Sequence, residues 1–337
     1  MPTPTKRDTA AEERHYPPLV YTVEAADDGR TLRDVLRLRL GLSRRLLVRL
    51  KADEDALRVD GRPAKTWERV AGGSRIELRM QQESSDDILP QPMELDIVFE
   101  DDHLLVLNKP PGLVVHPTTG HYAGTLANGV MHYWLRRGER RRFRPVHRLD
   151  EDTSGLVVVA KDPYAHQQLA VQMEQGAVVK SYRAYVYGKP AADTGVIDAP
   201  IGRDPADPRR RTVRDDGAPS VTRYALARAY RCGASALDVR LGTGRTHQIR
   251  VHLSARGCPI IGDALYGDPR ASHPALAEAL APYARRQALH AARLAFRHPV
   301  TGEPMELEAA LPDDLRELER ALSRLDAEAA DGDPERK

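Results

Sequence analysis

Short apolar runs recur after residue 92, and most are separated by Pro, Gly or polar turns. The runs lie at residues 97–98, 104–107, 113–115, 156–160, 178–179 and 182–186. Runs of this length, bounded by turn residues, predict strands. Helical patterns are fewer, at about 163–175, at about 246–255 and in a terminal segment with three leucines on one face. Strands joined mostly by turns predict an α+β domain with a mixed, mainly antiparallel sheet.

An earlier segment, residues 19–82, has a different pattern. Thr31 and Ser43 each precede a helical run of leucines, as N-cap residues do, and Gly41 ends the first helix. Basic residues cover the rest of the second helix surface: Arg44, Arg45, Arg49 and Lys51. Short strand patterns follow the two helices. The segment is therefore predicted to be a small, basic α/β module.

Composition divides the chain into five parts. Residues 1–18 are polar and contain several prolines, so we expect a disordered tail. The basic module covers residues 19–82, and residues 83–92, with clustered acids and two prolines, are expected to form a linker. The larger α+β domain covers residues 93–325, and a polar tail covers residues 326–337.

Positive charge is concentrated in the module. Between Arg30 and Met80 there are 14 Lys and Arg against 7 Asp and Glu, an excess of 7. The formal net charge of the whole chain is only +2, which leaves −5 for the rest. Such asymmetry indicates a polyanionic partner for the module.

Other broad classes are disfavoured. The two cysteines, Cys232 and Cys258, provide neither a disulfide framework nor zinc-site spacing, so we expect a cytoplasmic protein with reduced thiols. No stretch approaches the roughly 18 to 20 apolar residues of a membrane span, and the first 18 residues lack the apolar core of a signal peptide.

Residues 147–155 pack charged side chains directly against the apolar run at 156–160. A buried strand is predicted for that run, so the charged segment is the loop that leads into it. Taken singly, Asp150, Asp152 and Thr153 are more typical of turns and backbone caps than of catalysis. The loop is the main candidate for chemistry because loops on rigid strands often carry it.

The whole segment at 146–155 resembles the signature loop of the RluA-type pseudouridine synthases. Residues 180–184 and 244–252, with the later segment 262–267, resemble further segments of that family. The resemblance covers about residues 93–311 and implies the same α+β fold. Residues 29–80 separately resemble the alpha-L RNA-binding module.

The resemblance implies roles for two of the three predicted catalytic residues, Asp150 and Arg245. Asp150 is the carboxylate that attacks or stabilises the reacting uridine. Arg245 is expected to form an ion pair with Asp150 and keep it ionised. On the predicted strand, Tyr182 points the same way as Ala184 and Val186, so its ring is expected to stack on uracil and its hydroxyl can relay a proton; a core tyrosine is the competing interpretation. No metal or cofactor is expected.

RNA contacts are predicted in two places. The resemblance implies that Arg148 fills the stack that a flipped uridine leaves, with a phosphate contact as its alternative, and His147 is assigned to RNA beside it. In the module, the basic helix residues are assigned to RNA: Arg44, Arg45, Arg49 and Lys51. The predicted activity is the isomerisation of specific uridines, with large-subunit (23S) ribosomal RNA as the expected substrate.

Alternative hypotheses remain open from the sequence. A metal site is disfavoured because His247 and His252 lie five residues apart, off one helical face. Paired glycosidase carboxylates are disfavoured because Asp150 and Asp152 share one loop. A non-catalytic RNA-binding or ribosome-assembly protein, a tRNA-specific synthase and a hydrolase that releases uracil are the competing functions.

Overall fold

The chain forms a small N-terminal module and a larger α+β domain. The structure, a computed structural model, describes residues 15–118, 120, 122–267 and 272–331, the side chain of Asp331 excepted. The predicted fold class is confirmed, because the large domain is built on one mixed, mainly antiparallel sheet.

The module has the predicted helices and strands. Its elements are β1 (Leu19–Thr22), α1 (Leu32–Leu38), α2 (Arg44–Lys51), β2 (Leu57–Val59), β3 (Arg62–Pro63) and β4 (Arg75–Leu78). The strands form an antiparallel sheet in the order β1-β4-β2-β3. The hydroxyl oxygens of Thr31 and Ser43 accept hydrogen bonds from the backbone N–H groups of Asp34 and Leu46, so both predicted N-caps are confirmed.

Three predicted boundaries differ from the structure. His15 and Tyr16 are buried against the module, so ordered structure begins before residue 19; residues 1–14 lie outside the described residues. Ile88 is buried in the core of the large domain, and the predicted linker is therefore packed. The last helix runs to Asp331, beyond the predicted start of the polar tail at 326, because one face of that helix packs on the domain.

The large domain contains the strands β5 (Ile97–Glu100), β6 (Leu104–Lys109), β7 (Ser154–Ala160), β8 (Val179–Tyr187), β9 (Thr194–Asp198), β10 (Ile201–Arg203), β11 (Arg211–Val213), β12 (Val221–Tyr230), β13 (Ala234–Leu241), β14 (Leu289–Arg297) and β15 (Pro304–Glu308). The main sheet has the order β5-β6-β7-β14-β8-β13-β12-β9, and β15 pairs with β14. Strands β10 and β11 form a separate hairpin.

The pairing of β7 with β14 is parallel and places the signature loop at the centre of the sheet. The other pairs in the main sheet are antiparallel. Gly155 pairs with Ala291 here and has φ +112°, and a Cβ there would lie 2.3 Å from the carbonyl oxygen of Ala291. Only glycine allows the two backbones to approach this closely.

Five helices flank the sheet among the described residues: α3 (Leu126–Arg136), α4 (Pro163–Glu174), α5 (Gln248–Ala255), α6 (Pro274–Leu280) and α7 (Asp313–Asp331). The sequence pattern predicts α4, α5 and α7 but not α3 or α6; α3 buries Trp134 completely. The predicted strand at residues 113–115 is wrong, since this segment is irregular in the structure.

The module packs against α4 of the large domain. Tyr164 is buried in the module core, and the side-chain amide of Gln168 donates to the carbonyl oxygen of Leu40 at 2.8 Å. The Gln167 side chain accepts from the backbone N–H of Ser43 at 2.9 Å. Apolar burial and backbone hydrogen bonds together fix this contact.

Candidate active site

A cavity of about 680 Å³ opens where the signature loop, β8 and the start of α5 meet. Its volume is within the usual range for a site that binds a small molecule or a single nucleotide. The polar and charged residues among its walls are His116, Thr118, His147, Arg148, Asp150, Thr153, Lys180, Tyr182, Arg245, Thr246, His247, Gln248 and Arg250. The three predicted catalytic residues are therefore brought together at one cavity.

Asp150 forms its ion pair with Arg250, at 3.2 Å. The opposite edge of the same guanidinium donates two hydrogen bonds to Asp263, at 2.7 and 2.9 Å. Burial acts to lower the pKa of Arg250, but the two acids raise it above its ordinary value. Arg250 is thus a permanent cation with one carboxylate buried behind it and another, 25% exposed, at the cavity.

The prediction that Arg245 pairs with Asp150 is wrong. Arg245 is exposed at the cavity wall, and its Nε donates to the carbonyl oxygen of Pro219 at 3.3 Å. Arg245 precedes α5, whereas Arg250 lies within the helix and faces the signature loop. The position of α5 therefore decides which arginine reaches the acid.

Tyr182 lies on β8 with its ring against the cavity, and only 6% of its surface is exposed. Its hydroxyl makes no hydrogen bond to any residue in the described part of the chain. Burial, with the nearby charge of Asp150, raises the pKa of Tyr182 above its ordinary value. Tyr182 is consequently a neutral phenol within the electrostatic reach of Asp150.

Two buried cations hold the backbone of the signature loop. The ammonium of Lys109 donates to the carbonyl oxygens of Pro110, Leu113 and Glu151 at 2.7 to 2.8 Å. Burial and the charge of Arg286 lower the pKa of Lys109 to about 7. Carbonyl oxygens from two loops thus converge on one side chain, which fixes the approach to Asp150.

Arg286 supports the next turn of the same loop. Its guanidinium donates to the carbonyl oxygen of Asp152 at 2.8 Å and to the hydroxyl of Ser154 at 3.2 Å. An ion pair with Asp314 at 2.6 Å anchors the guanidinium to α7. The loop is therefore preorganised by contacts from distant parts of the chain.

The entry to α5 is also fixed by side chains. His247 has a left-handed backbone (φ +59°), and its Nδ1 shares a hydrogen bond with the hydroxyl of Tyr266 at 2.7 Å. The Gln248 side chain accepts from the backbone N–H of Arg245 at 3.0 Å. Burial lowers the pKa of His247. The neutral side chain of His247 and the fixed turn before α5 therefore form this wall of the cavity.

The two predicted RNA contacts in the loop differ in exposure. Arg148 is exposed at the cavity and has no ion pair within the described ranges. His147 lies deeper: its Nε2 accepts from the backbone N–H of Val158 at 3.4 Å, and its buried Nδ1 has no hydrogen-bond partner. Burial, with the charge of Lys180, lowers the pKa of His147 to about 3.

The basic residues of α2 are not equivalent. Arg44, Arg45 and Lys51 are exposed and form no ion pair within the described part of the chain. Arg49 is paired with Glu83, which also pairs with the buried Arg144. Arg49 is therefore partly neutralised by the chain itself.

The acidic cluster after α2 is largely engaged. Asp53 forms hydrogen bonds with His15 at 2.7 Å and Gln81 at 3.1 Å, and Asp55 pairs with Arg58 at 3.1 Å. The carboxylates of Asp53 and Asp55 therefore bind partners within the protein and are not free surface charges.

The alternative histidine pair does not assemble into a site. His252 is buried between Thr222 and the carbonyl oxygen of Ala199, away from His247. Within the described ranges, no three His, Cys, Asp or Glu side chains converge as metal ligands would. None of the helices in those ranges combines the length and the apolar character needed to cross a bilayer.

A family comparison covers the segment that contains this site. Residues 103–255 match the RNA pseudouridylate synthase family, and this segment contains Asp150, Tyr182 and Arg250. The chain belongs to that family, so the resemblance to RluA-type synthases is confirmed. Its members are isomerases, and the predicted enzyme class is confirmed with it.

Relatives match over most of the chain. The ribosomal large subunit pseudouridine synthase D of Xanthomonas campestris is 42% identical over 281 residues, covering 82% of this chain and 84% of the relative. The protein of the same name from Pseudomonas aeruginosa is 42% identical over 276 residues, covering 81% and 85%. The solved human RNA pseudouridylate synthase domain containing 4 has a TM-score of 0.56 at 27% identity, covering 68% of this chain and 93% of that structure.

Several residues of the site were not predicted from the sequence. Arg250 lies between Ile249 and Val251, and a charge among buried apolar neighbours is a signal for a paired group. Lys180 shares the strand face of Tyr182 by two-residue periodicity. Lys109 and Arg286 give no comparable signal, because their partners are backbone carbonyls in remote segments.

Proposed function

We propose that this chain converts specific uridines of large-subunit (23S) ribosomal RNA to pseudouridine, with Asp150 acting on a flipped-out uridine. The observation that carries the proposal is the pairing of Asp150 with Arg250 at the edge of a nucleotide-sized cavity. A carboxylate held ionised there can act on electron-poor carbon.

The chemistry requires few groups. The bond between C1′ of the sugar and N1 of uracil breaks, the base turns, C5 bonds to C1′, and the proton lost from C5 is matched by one taken up at N1. The product has the composition of the substrate, so neither an oxidant nor a cosubstrate is consumed. Asp150 supports the step by attack on, or charge stabilisation of, the sugar C1′ or the base C6. Arg250 keeps the carboxylate ionised.

Tyr182 supports the base. Its ring forms part of the cavity wall, and stacking on an aromatic ring holds a base without regard to sequence. Its hydroxyl lacks a partner within the described residues and can relay the proton lost during rearrangement. The raised pKa of Tyr182 keeps the phenol protonated until that step.

Access to a paired uridine requires base flipping, which costs a few kcal/mol. Arg148 is exposed beside Asp150 and can occupy the space that the base leaves. His147, deeper in the same wall, supports the contact from inside. Arg245, at the open side of the cavity, is assigned to RNA binding.

The choice of ribosomal RNA rests on the relatives and on the module. Two relatives that match four-fifths of the chain are named as large-subunit ribosomal enzymes. The exposed basic residues of α2 provide a second surface for a large RNA: Arg44, Arg45 and Lys51. Such a substrate is consistent with a cytoplasmic protein.

The test is to map pseudouridines across total RNA from cells with and without this protein. The proposal predicts that one or a few positions in large-subunit rRNA lose the modification. Loss confined to tRNA would contradict the substrate assignment. An unchanged map, with a ribosome-assembly defect, would support a non-catalytic role, and release of free uracil would indicate hydrolysis.

A further inference from the structure

Lys180 differs from the other buried cations of the large domain. Only 8% of its surface is exposed, yet it makes no hydrogen bond or ion pair with a residue in the described ranges. Lys161, by contrast, is buried against Glu100 at 2.7 Å, and Lys109 is surrounded by three carbonyl oxygens. Lys180 is thus a buried positive group that the protein leaves unpaired.

The position of Lys180 is well defined. It lies on β8 two residues before Tyr182, and side chains at this spacing point to the same face of a strand. Both line the cavity. A Cβ added at Gly244 would lie 3.4 Å from the Nζ of Lys180, so the ammonium reaches the loop before α5. The group therefore lies within the cavity and not at the protein surface.

An unpaired buried charge costs free energy unless a ligand supplies the partner. Burial lowers the pKa of Lys180, and no carboxylate in the described part of the chain opposes that shift. Asp150 is committed to Arg250. An acceptor brought by the ligand can therefore supply the partner that the described residues do not provide.

The reaction proposed above creates such an acceptor. When the C1′–N1 bond breaks, its electron pair remains on uracil and spreads onto O2 and O4. The pair returns to C1′ through C5; the C5 proton is then lost and N1 takes up a proton, which restores the neutral uracil ring. We propose that the ammonium of Lys180 donates a hydrogen bond to a uracil oxygen and stabilises this negative charge. Lys180 stays protonated throughout, and the inference rests on the proposed function.

The alternative ligand is a phosphate of the RNA. Phosphates lie on the outside of a nucleic acid and are met by exposed arginine and lysine side chains, such as Arg148 and Arg245 at this cavity. Lys180 is far less exposed and shares a face with the tyrosine proposed to hold the base. These two facts favour the uracil over the phosphate.

The first test uses Lys180→Met and Lys180→Arg with wild type as the reference. Single-turnover rates at saturating enzyme are measured on a target RNA, together with Kd. Removing one preorganised donor to a developing charge costs about 10²- to 10³-fold in rate. That loss in rate is expected for Lys180→Met, whereas its Kd should change by less than about threefold. The loss of one phosphate contact would weaken binding at low salt by more than this. Lys180→Arg should recover part of the rate. A weaker Kd with an unchanged rate would overturn the proposal in favour of phosphate.

The second test changes the leaving group. Fluorine at C5 withdraws electrons and stabilises the uracil anion, so an RNA with 5-fluorouridine at the target depends less on Lys180. The loss of glycosidic-bond cleavage in Lys180→Met should be at least about tenfold smaller with this RNA than with uridine, a barrier difference of ~1.4 kcal/mol. Equal losses with both RNAs would contradict charge stabilisation on the base.

The third measurement does not need activity. Lys180→Met removes an unpaired buried charge, so the free energy of unfolding should stay the same or increase. The matched control, Lys161→Met, removes the partner of Glu100 and should lower it. A decrease for Lys180→Met as large as the control would indicate a structural role. If wild type modified no RNA, the proposed function would fail, whatever the variants showed.

Discussion

Arg250 and Asp150 form the ion pair of this site, with 3.2 Å between the guanidinium and carboxylate. The guanidinium cannot turn away, because Asp263 binds its other edge in a bidentate arrangement. The backbone N–H groups of Leu265 and Tyr266 donate in turn to Asp263. The charge opposite Asp150 is therefore fixed before any substrate enters.

Replacing Arg250 should impair the reaction much more than replacing Arg245. Arg250→Lys keeps a positive charge but cannot bind both acids as a planar fork, so we expect a loss of about 10²-fold or more in the single-turnover rate. Arg245→Lys should cost less than about tenfold, a barrier change below ~1.4 kcal/mol.

Because Asp263 is fully buried, Arg250→Lys must first be shown by circular dichroism and thermal unfolding to be folded. A folded Arg250→Lys with near-normal turnover, together with an inactive Arg245→Lys, would reverse the assignment.

Two substitutions separate the contribution of the Tyr182 ring from that of its hydroxyl. Tyr182→Phe keeps the ring, whereas Tyr182→Ala loses both, and base stacking on an aromatic ring contributes about 1 to 3 kcal/mol. Single-turnover rates should therefore fall further in the alanine variant than in the phenylalanine variant. Equal rates for the two would mean that the ring does not stack on the base, and a normal rate for Tyr182→Phe would exclude the proton relay.

The titration of His147 should be visible in the pH dependence of stability. Its folded pKa is about 3, and an unfolded histidine titrates near 6.5. As the pH falls, the unfolded state binds the proton before the folded state does. The contribution of His147 to the free energy of unfolding is therefore present above pH 6.5 and is lost as the pH falls toward 3.

His147→Gln removes this group but retains an acceptor for the N–H of Val158. The unfolding free energy of wild type should fall more steeply than that of the variant between pH 6.5 and 4.5, by at most about 1.4 kcal/mol per pH unit. Parallel curves would show that the histidine is not desolvated in the folded protein.

The module should provide RNA affinity and not chemistry. Deleting it would expose Tyr164, so charge substitution is the sharper test. A variant with glutamine at three exposed positions is used: Arg44, Arg45 and Lys51. The slope of log K against log salt should flatten by about 0.7 to 0.9 for each lost phosphate contact.

The matched control carries glutamine at three exposed arginines outside the module and the cavity: Arg231, Arg256 and Arg320. Its slope should be close to wild type. Equal slopes for the module variant and wild type would mean that α2 does not touch RNA, and loss of activity on a short stem-loop at saturating enzyme would give the module a catalytic role.

The elements that depend on local pattern were predictable. Thr31 and Ser43 begin the module helices as expected, and the apolar run after the signature loop is a buried strand. Helix α3 was missed because its N-cap, Thr125, gives a weak signal without charged residues in the first turn. Its capping box uses Asn128, which a search for Glu or Gln does not find.

Contacts between segments that are remote in the sequence could not be predicted from the sequence pattern alone. Asp150 and Arg250 are 100 residues apart, and the choice between Arg245 and Arg250 depends on where α5 begins. Ile88 was assigned to a linker because its acidic and proline neighbours outweighed one apolar residue. In each case the tertiary position of an element, and not its composition, decided the contact.

The central claim is that the carboxylate of Asp150 carries the reaction. Asp150→Asn keeps the size and shape of the side chain and removes the charge that Arg250 binds. The most direct measurement is pseudouridine at the target positions in rRNA from cells that lack the chromosomal protein and express wild type or Asp150→Asn at equal levels. We predict complete restoration by wild type and none by the variant, with RNA affinity in vitro nearly unchanged. Restoration by Asp150→Asn, with turnover within about tenfold of wild type or a barrier change of only ~1.4 kcal/mol, would contradict the account.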